Sequence, residues 1–556
     1  ANPLYIDVRL VAHGQVSVPL FRLYFCLFLR ERDLSPVLTI CLISPAFYAF
    51  AIKISPAFYA FVIKISPAFY KILLNMLDYQ IFIVSLQKIN NRGYIIMRYL
   101  NRIIDRYLEE WKQESDRKPL LIRGARQVGK SCAVRHFGET FEYYLEVNFE
   151  RDIDVAEFFS GNMNVHDIAE KLSMYYGVPV EAGKTLLFLD EIQSCPKALH
   201  SLWFFREDYS QLHVVAAGSL LEFALKDIRS YGVGRISSLF VYPMSFDEFL
   251  EAQNLGGMVK MKKEASDDKA LMEVFHNKLV EQFRQFMLIG GMPAAVSKFI
   301  ETNSYIKART VLSDLRVAFI DDFSKYAGRM DPDLLRHTLI SVARQSGTKF
   351  VFSMVDGSYR TEQVKKALTY LRDAGLIIPV IHSASNGIPL GAETNSKFVK
   401  YIMIDNALML DFLGISDNTQ EIDKAILTDT APNLVDKGSI AEMMAGLEIL
   451  KYMSPYERHD LYYWQDTNKG NAAEVDYVVA KSGHVVPVEV KSGVKGSMKS
   501  LYELLSKPQK DIPYAIRCSL ENFGSFVSPI GKPISICPLY AISNIISKTL
   551  TSNLIA

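Results

Sequence analysis

The chain has 556 residues, a formal net charge of +1, 22% charged and 49% hydrophobic residues, 30 Gly, 22 Pro and 6 Cys. That length suggests about three to five domains, each large enough to bury a core of its own, and the composition excludes a disordered, collagenous or small disulfide-stapled chain. Near-zero charge also excludes a bulk polycation, so any nucleic-acid contact must come from local basic faces. The six cysteines (Cys26, Cys41, Cys132, Cys195, Cys518, Cys537) are scattered, with no CxxC or Cys/His cluster, which points to a reduced, cytoplasmic protein without structural zinc.

Residues 1–96 contain a repeat with a period of eleven: ISPAFYAFAIK from Ile43, ISPAFYAFVIK from Ile54, and a copy from Ile65 that decays after Tyr70. The period would suit a right-handed coiled coil, but each unit carries Ser-Pro, and proline breaks a helix interior. The apolar run Val37 to Ile52 is shorter than the roughly 20 residues of a membrane span, and Lys53 and Lys64 follow it. No basic n-region leads into a single apolar core and cleavage site, so a signal peptide is not expected either. The chain opens with Ala1, and Met97 begins an amphipathic segment, MRYLNRIIDRYLEEW. The expectation is that residues 1–96 are read-through of a tandem nucleotide repeat upstream of a start at Met97, with a peripheral membrane-seeking extension as the alternative. They hold nine basic and four acidic residues, so the remaining 460 carry a net charge of −4.

Residues 97–250 read as a phosphate-binding core. KPLLIR, Lys118 to Arg123, is a short buried strand that runs into Gly124-Ala125-Arg126-Gln127-Val128-Gly129-Lys130-Ser131, the GxxxxGK[ST] pattern. Its backbone N–H groups surround phosphates, Lys130 reaches the β/γ oxygens, Ser131 ligates Mg²⁺, and the following helix N-terminus adds partial positive charge. Thr185 to Glu191 (TLLFLDE) is an apolar strand ending in two acids. At the C-terminal end of a buried parallel strand, Asp190 suits Mg²⁺ and Glu191 suits polarising the attacking water. A third strand, His213 to Ala217, leads to Gly218-Ser219, where the Ser219 hydroxyl could sense a γ-phosphate. Arg235, flanked by glycines in YGVGRISSLF, is the candidate arginine for transition-state charge, supplied within the chain or across the subunit interface of a homo-oligomer.

GARQVGKS, LLFLDEIQ, VAAGS, GRISSLFVYPMSFDEFL and Gly290-Gly291-Met292-Pro293 occur in that order. Together they resemble the prokaryotic AAA-type ATPases whose C-terminal region is an uncharacterised domain with a nuclease-like core. The resemblance runs from about residue 98 to near the C-terminus. It implies an AAA+ parallel sheet, Mg-ATP binding and a helical lid, with Lys130, Ser131, Asp190, Glu191, Ser219 and Arg235 at the motif positions. Ser131 stands where threonine is commoner.

Residues 251–330 are helical in pattern and read as the lid or linker, with MKKEASDDKA as an exposed loop. In residues 331–415, Leu335, Leu339 and Val342 mark one helix. Val364, Ala367, Leu368 and Leu371 mark a second, closed by Gly375. The strands LIIPVI and KFVKYIMID follow, joined around Asn386-Gly387. Helix, helix and hairpin is the order of a winged helix, whose second helix enters a DNA groove. Lys365, Lys366 and Arg372 on that helix would supply salt-sensitive phosphate contacts, unless the module simply packs against the ATPase.

In residues 430–556, LYYWQ and EVDYVVA form a hairpin around Asn468 to Asn471, and VVPVEV is a third strand ending at Lys491. Asp476 lies on one strand and Glu489 and Lys491 on the next, two apart and so on one face. Two carboxylates on Mg²⁺ with a nearby lysine build a metal-dependent phosphodiesterase. With Glu442 on the preceding helix, the set resembles the PD-(D/E)XK nuclease core, including the enzymes that resolve Holliday junctions; the resemblance makes Glu442, Asp476 and Glu489 metal ligands and Lys491 catalytic. Lys495, Lys499, Lys507 and Lys510 would hold a phosphate backbone.

The expected fold is α/β: a P-loop AAA+ core, a helical lid, a winged helix and a restriction-endonuclease-like domain. The expected function is Mg-dependent ATP hydrolysis coupled to DNA binding or processing, in the cytoplasm and without stable membrane association. The alternative is a nucleotide-dependent switch or interaction protein whose nuclease-like domain is inactive.

Overall fold

The computed structural model describes residues 26–28, 37–39 and 99–547, apart from 162, 220, 228–233, 325–329, 415–436 and 469–472. The chain divides into two units, residues 1–96 and 97–556. In the first, β1 (Cys26–Phe28) pairs antiparallel with β2 (Val37–Thr39); the eleven-residue repeat lies outside the described residues, as do Met97 and the turn residues 469–471.

The second unit opens with α1 (Ile103–Gln113), whose Ile104, Leu108 and Trp111 recur at helical spacing and are buried. A five-stranded parallel sheet follows, with strand order β4-β5-β6-β3-β7. Its strands are β3 (Leu120–Arg123), β4 (Tyr143–Asn148), β5 (Thr185–Asp190), β6 (His213–Ala217) and β7 (Ser237–Phe240). Between them run α2 (Lys130–Gly138), α3 (Val165–Tyr176), α4 (Pro196–Asp208) and α5 (Leu221–Asp227). Every residue of β5 and β6 is buried. Alternation explains why residues 186–189 of β5 are apolar without a break: Leu187 and Leu189 join the core under α3 and α4, whereas Leu186 and Phe188 join the core under α1 and α2. Each such side chain contributes about 1.5–3 kcal/mol on burial.

Helices α6 (Phe246–Ala252), α7 (Gly256–Glu264), α8 (Glu273–Ile289), α9 (Pro293–Thr302) and α10 (Tyr305–Phe323) come next. The charged stretch read as an exposed loop begins inside α7, and Lys262 is 1% exposed. Its ammonium is paired with Asp247 and donates to Ser543 Oγ at 2.8 Å, so the charge is buried because it has partners. In α11 (Pro332–Arg344) and α12 (Thr361–Asp373) the apolar stripes Leu335, Leu339, Val342 and Val364, Ala367, Leu368, Leu371 are the buried faces.

The hairpin β8 (Ile377–Ser383) and β9 (Thr394–Met403) is antiparallel and is followed by α13 (Asn406–Phe412) and α14 (Lys437–Lys451). Then come β10 (Leu461–Gln465), β11 (Glu474–Lys481), β12 (His484–Val490), α15 (Lys499–Ser506), β13 (Ala515–Ser519), β14 (Gly524–Val527), β15 (Pro533–Pro538) and α16 (Ser543–Ser547). All these strands form one eight-stranded mixed sheet, order β14-β15-β13-β12-β11-β10-β8-β9. The join is the parallel pair β10 and β8, in which Leu461 faces Val380 and Tyr463 faces His382. The hairpin read as a wing and the strands read as a separate nuclease-like domain therefore share one sheet. A hairpin edge must pair its backbone groups or leave them to water, and here β10 pairs with it.

Candidate functional site

The strands β5, β6 and β3 are neighbours and parallel, so their C-terminal ends open on one crevice. The turn after β3 is Gly124 to Gly129. Gly124 has φ +144, and a Cβ there would lie 2.2 Å from the Val241 carbonyl oxygen, so no other residue fits. Gly129, φ +94, caps α2, and Gln127 also has positive φ, 65. Arg102, just ahead of α1, braces the loop from behind: its guanidinium donates to Val128 O at 2.7 Å, to Tyr242 O at 2.7 Å and to Glu248 Oε1 at 2.9 Å. This buried arginine was not among the sequence candidates, because nothing local links residue 102 to a loop more than twenty residues on.

Lys130 is buried, and its Nζ donates to Gly124 O at 2.9 Å and Ala125 O at 2.6 Å. Burial pulls its pKa down to about 8, against the pull of Glu191 and Asp190. Ser131 Oγ donates to Asp190 Oδ1 at 2.9 Å, and Asn148 Nδ2 reaches Asp190 Oδ2 at 3.3 Å. Burial raises the Asp190 carboxyl above its ordinary range, with the Ser131 hydrogen bond opposing. Glu191, at φ +50, accepts from Gln193 Nε2 at 2.6 Å and from Ser219 Oγ at 3.4 Å. Arg126 Nε in turn donates to Ser219 Oγ at 3.1 Å. Ser131 and Asp190 are hard oxygen donors in direct contact, a fit for Mg²⁺ carried in with nucleotide phosphates.

Arg235 is not brought to this crevice. It precedes β7, which runs parallel to β3, and so lies at the opposite end of the sheet from the phosphate loop. There it pairs with Glu207 at 2.5 Å and stacks over Trp203. Glycine-flanked position in sequence says nothing about which end of a strand a residue occupies.

The end of α12 closes on the same loop. Gly375, φ +75, lies where a Cβ would be 3.1 Å from Ala125 N, and Asp373 and Arg458 line a cleft with Gly124, Ala125 and Ser219. Of the basic residues read as a DNA face, Lys365 is exposed and paired with Glu362, Lys366 is exposed, and Arg372 is paired with Asp460 at 2.8 Å. Lys495 and Lys499 are exposed. Lys507 is instead paired with Asp466 at 2.7 Å, and the buried Lys510 donates to Ala384 O and Asn386 Oδ1, so neither is free to hold phosphates.

In the C-terminal sheet, Tyr477 pairs with Val488, which places Asp476 opposite Glu489. Asp476 Oδ2 accepts from Val490 N at 2.7 Å, and Lys491 Nζ lies 2.6 Å from Glu489 Oε1. Burial pushes Glu489 up to about 7, with Asp476 adding and Lys491 opposing, and its Oε2 is buried without a hydrogen-bond partner. Glu442 projects from α14 into the same region, and burial pushes it up to about 8. Its partner is Lys400 of β9, a side chain 0% exposed, which lies 2.9 Å from Glu442 Oε1 and also pairs with Glu474. Burial pulls the Lys400 ammonium down, but Glu442, Glu474 and Asp476 outweigh it and hold it above its usual range. The cluster thus already contains two cations, Lys400 and Lys491, and among the described residues no group of three or more His, Cys, Asp or Glu is arranged to hold a metal ion. Lys400 escaped the sequence reading because it lies 89 residues before Glu489, in the hairpin read as a wing.

Residues 116–250 match an AAA domain family, AAA_14. Residues 280–419 and 437–540 match two domains of unknown function, DUF8612 and DUF4143. No curated protein matches the chain. Among solved structures, a Walker-type ATPase of Pyrococcus abyssi is 16% identical, with TM-score 0.38, over 57% of this chain and 96% of that one. A RuvB variant of Thermotoga maritima is 13% identical, with TM-score 0.26, over 53% and 91%. The chain contains a P-loop ATPase domain of the AAA type, built on a five-stranded parallel sheet. Among the described residues no helix is long and apolar enough to cross a membrane.

Proposed function

We propose that the protein binds Mg-ATP at Gly124 to Ser131 and hydrolyses it in the cytoplasm, coupling turnover to a DNA-facing surface on α12. The observation that carries the ATPase reading is the convergence of Ser131, Asp190, Glu191 and Ser219 on the crevice beside the phosphate loop. Lys130 neutralises the β/γ oxygens, Ser131 and Asp190 hold Mg²⁺, and Glu191 orients the attacking water. Bound Mg²⁺ supplies charge neutralisation at the phosphates. The contact of Gly375 with Ala125 supports coupling, because nucleotide that shifts the loop displaces the end of α12.

Lys130→Ala should abolish hydrolysis, and unchanged turnover overturns the ATPase reading. DNA affinity at low salt, measured with and without ATP, tests the coupling: binding should fall with salt and respond to nucleotide, and no affinity at low salt overturns the DNA half. For the C-terminal sheet one observation favours the reading without cleavage: the buried Lys400 pairs with Glu442, a carboxylate that a nuclease would offer to metal.

A further inference from the structure

With Arg235 at the far end of its own sheet, an arginine supplied to this crevice from within the chain has to come from elsewhere, and the phosphate loop carries one. Arg126 lies between the two loop glycines. Its Nε donates to Ser219 Oγ at 3.1 Å, and that hydroxyl reaches Glu191 Oε2 at 3.4 Å, so guanidinium, hydroxyl and water-orienting carboxylate form one chain of contacts. The other side of the guanidinium is held by Asp322, at the end of α10: Nη1 reaches Oδ1 at 2.5 Å and Oδ2 at 2.6 Å, and the carboxylate of Glu150 stands 3.8 Å away. Both members of the Arg126 and Asp322 pair are largely shielded, at 24% and 13% exposure. A guanidinium gains little by exchanging one anion for another unless the new one carries more charge, and a γ-phosphate does.

We propose that Arg126 is the arginine of the hydrolytic step, acting within its own chain, and that Asp322 of the lid is the counter-ion from which ATP takes it. The proposal rests on the ATPase reading above. In the reaction, water oxygen bonds to the γ-phosphorus as the bond to the β,γ-bridging oxygen breaks. The electron pair leaves with ADP, and the water proton passes to Glu191. Negative charge spreads over the γ-oxygens as that bond loosens, and Arg126 meets it from the side where Ser219 already holds its Nε. Transfer of Arg126 to the γ-phosphate at the same moment removes one contact between the phosphate loop and α10, which links α10 to the nucleotide state.

The test uses the full-length protein and three readouts. Arg126→Ala should lower kcat by about 10³-fold or more, the scale of a transition-state arginine. It should leave ADP affinity within about threefold and lose the tight complex with ADP and aluminium fluoride, because the interaction is made with the transferring group. Arg126→Lys should recover part of the aluminium fluoride complex. Asp322→Asn keeps the arginine while removing its counter-ion, so ATP should bind more tightly and turnover should not fall. If Asp322→Asn and Arg126→Ala lose thermal stability and turnover in step, the pair is only structural and the proposal fails. It also fails if Arg126→Ala keeps the aluminium fluoride complex. Should Arg126→Ala not fold, Asp322→Asn decides alone. Absence of turnover in the wild type would instead refute the ATPase reading.

Discussion

Lys400→Met isolates the most unexpected feature of the C-terminal sheet. Methionine keeps the unbranched stem but removes the ammonium, which is fully shielded and pairs with Glu442 at 2.9 Å and with Glu474. Removing one partner of a buried ion pair costs up to about 3–5 kcal/mol, an upper bound here because Glu442, already pushed up to about 8, escapes part of the penalty by taking up a proton. Glu474 is 28% exposed and can turn to water, so most of the penalty falls on Glu442, at 10%. Glu442→Gln in the Lys400→Met background removes that charge, and the double variant should recover about 1–3 kcal/mol relative to the sum of the single variants. Equilibrium urea unfolding of the full chain measures both quantities. A second arm asks what the ammonium excludes: Mn²⁺ titration followed by electron paramagnetic resonance should show no uptake by the wild-type cluster. Lys400→Met, with Glu442 and Glu474 left without their buried cation, should take up Mn²⁺ in a way that Asp476→Asn abolishes. Two results refute the reasoning: wild-type uptake that depends on Asp476, or a Lys400→Met stability within about 0.5 kcal/mol of wild type, the size of an ordinary surface substitution.

Two other substitutions test the ATPase sheet. Gly124→Ala places a Cβ 2.2 Å from the Val241 carbonyl oxygen at φ +144, a backbone strain of about 1–3 kcal/mol before the clash is counted; nucleotide affinity should collapse, and normal binding of a fluorescent ATP analogue would show that the loop tolerates the shift. His213, 5% exposed at the start of β6, has its pKa pulled down to about 4 by burial, with Arg117 adding. A histidine depressed from about 6.5 contributes stability that is present above pH 6.5 and lost as pH falls toward 4, at most about 3 kcal/mol. Thermal unfolding of His213→Gln should be flatter across that window, and an unchanged pH profile would assign the acid sensitivity elsewhere.

The parts of the site that were legible in the sequence are those whose geometry is set by covalent proximity. Gly124 to Ser131 occupies eight consecutive residues, and TLLFLDE carries its own alternation, so Asp190 and Glu191 had to arrive at a strand end. The β11 and β12 hairpin is short, which is why the sequence alone sets Asp476 against Glu489. Legibility ended where partners are distant. Nothing between residues 381 and 461 announces that β10 will lie parallel to β8, and without that pairing Lys400 looks like a residue of an independent wing. Lys262, Arg372, Lys507 and Lys510 misled for a related reason. Each is a flexible cation that a local reading assigns to solvent, and each found a carboxylate or carbonyl from far along the chain. Composition cannot distinguish a solvated lysine from a paired one, because the decision depends on what the tertiary fold brings within about 4 Å.

The shared sheet also constrains how the two halves of this unit can communicate. A winged helix tethered by linkers could move independently of the ATPase, whereas here β8 is stapled to β10 on one side and α12 abuts the phosphate loop on the other. Helix α12 has thirteen residues and so is about 20 Å long. Its Gly375 end shares space with Ala125, while Lys365 and Lys366 are exposed toward the start of the helix. Helix α10 has a separate contact to the same loop through Asp322 and Arg126. The phosphate loop is therefore held from three directions, by α12, by α10 and by Arg102 behind it. On the proposal that the γ-phosphate takes Arg126, the contact from the loop to α10 is the one of the three that nucleotide changes.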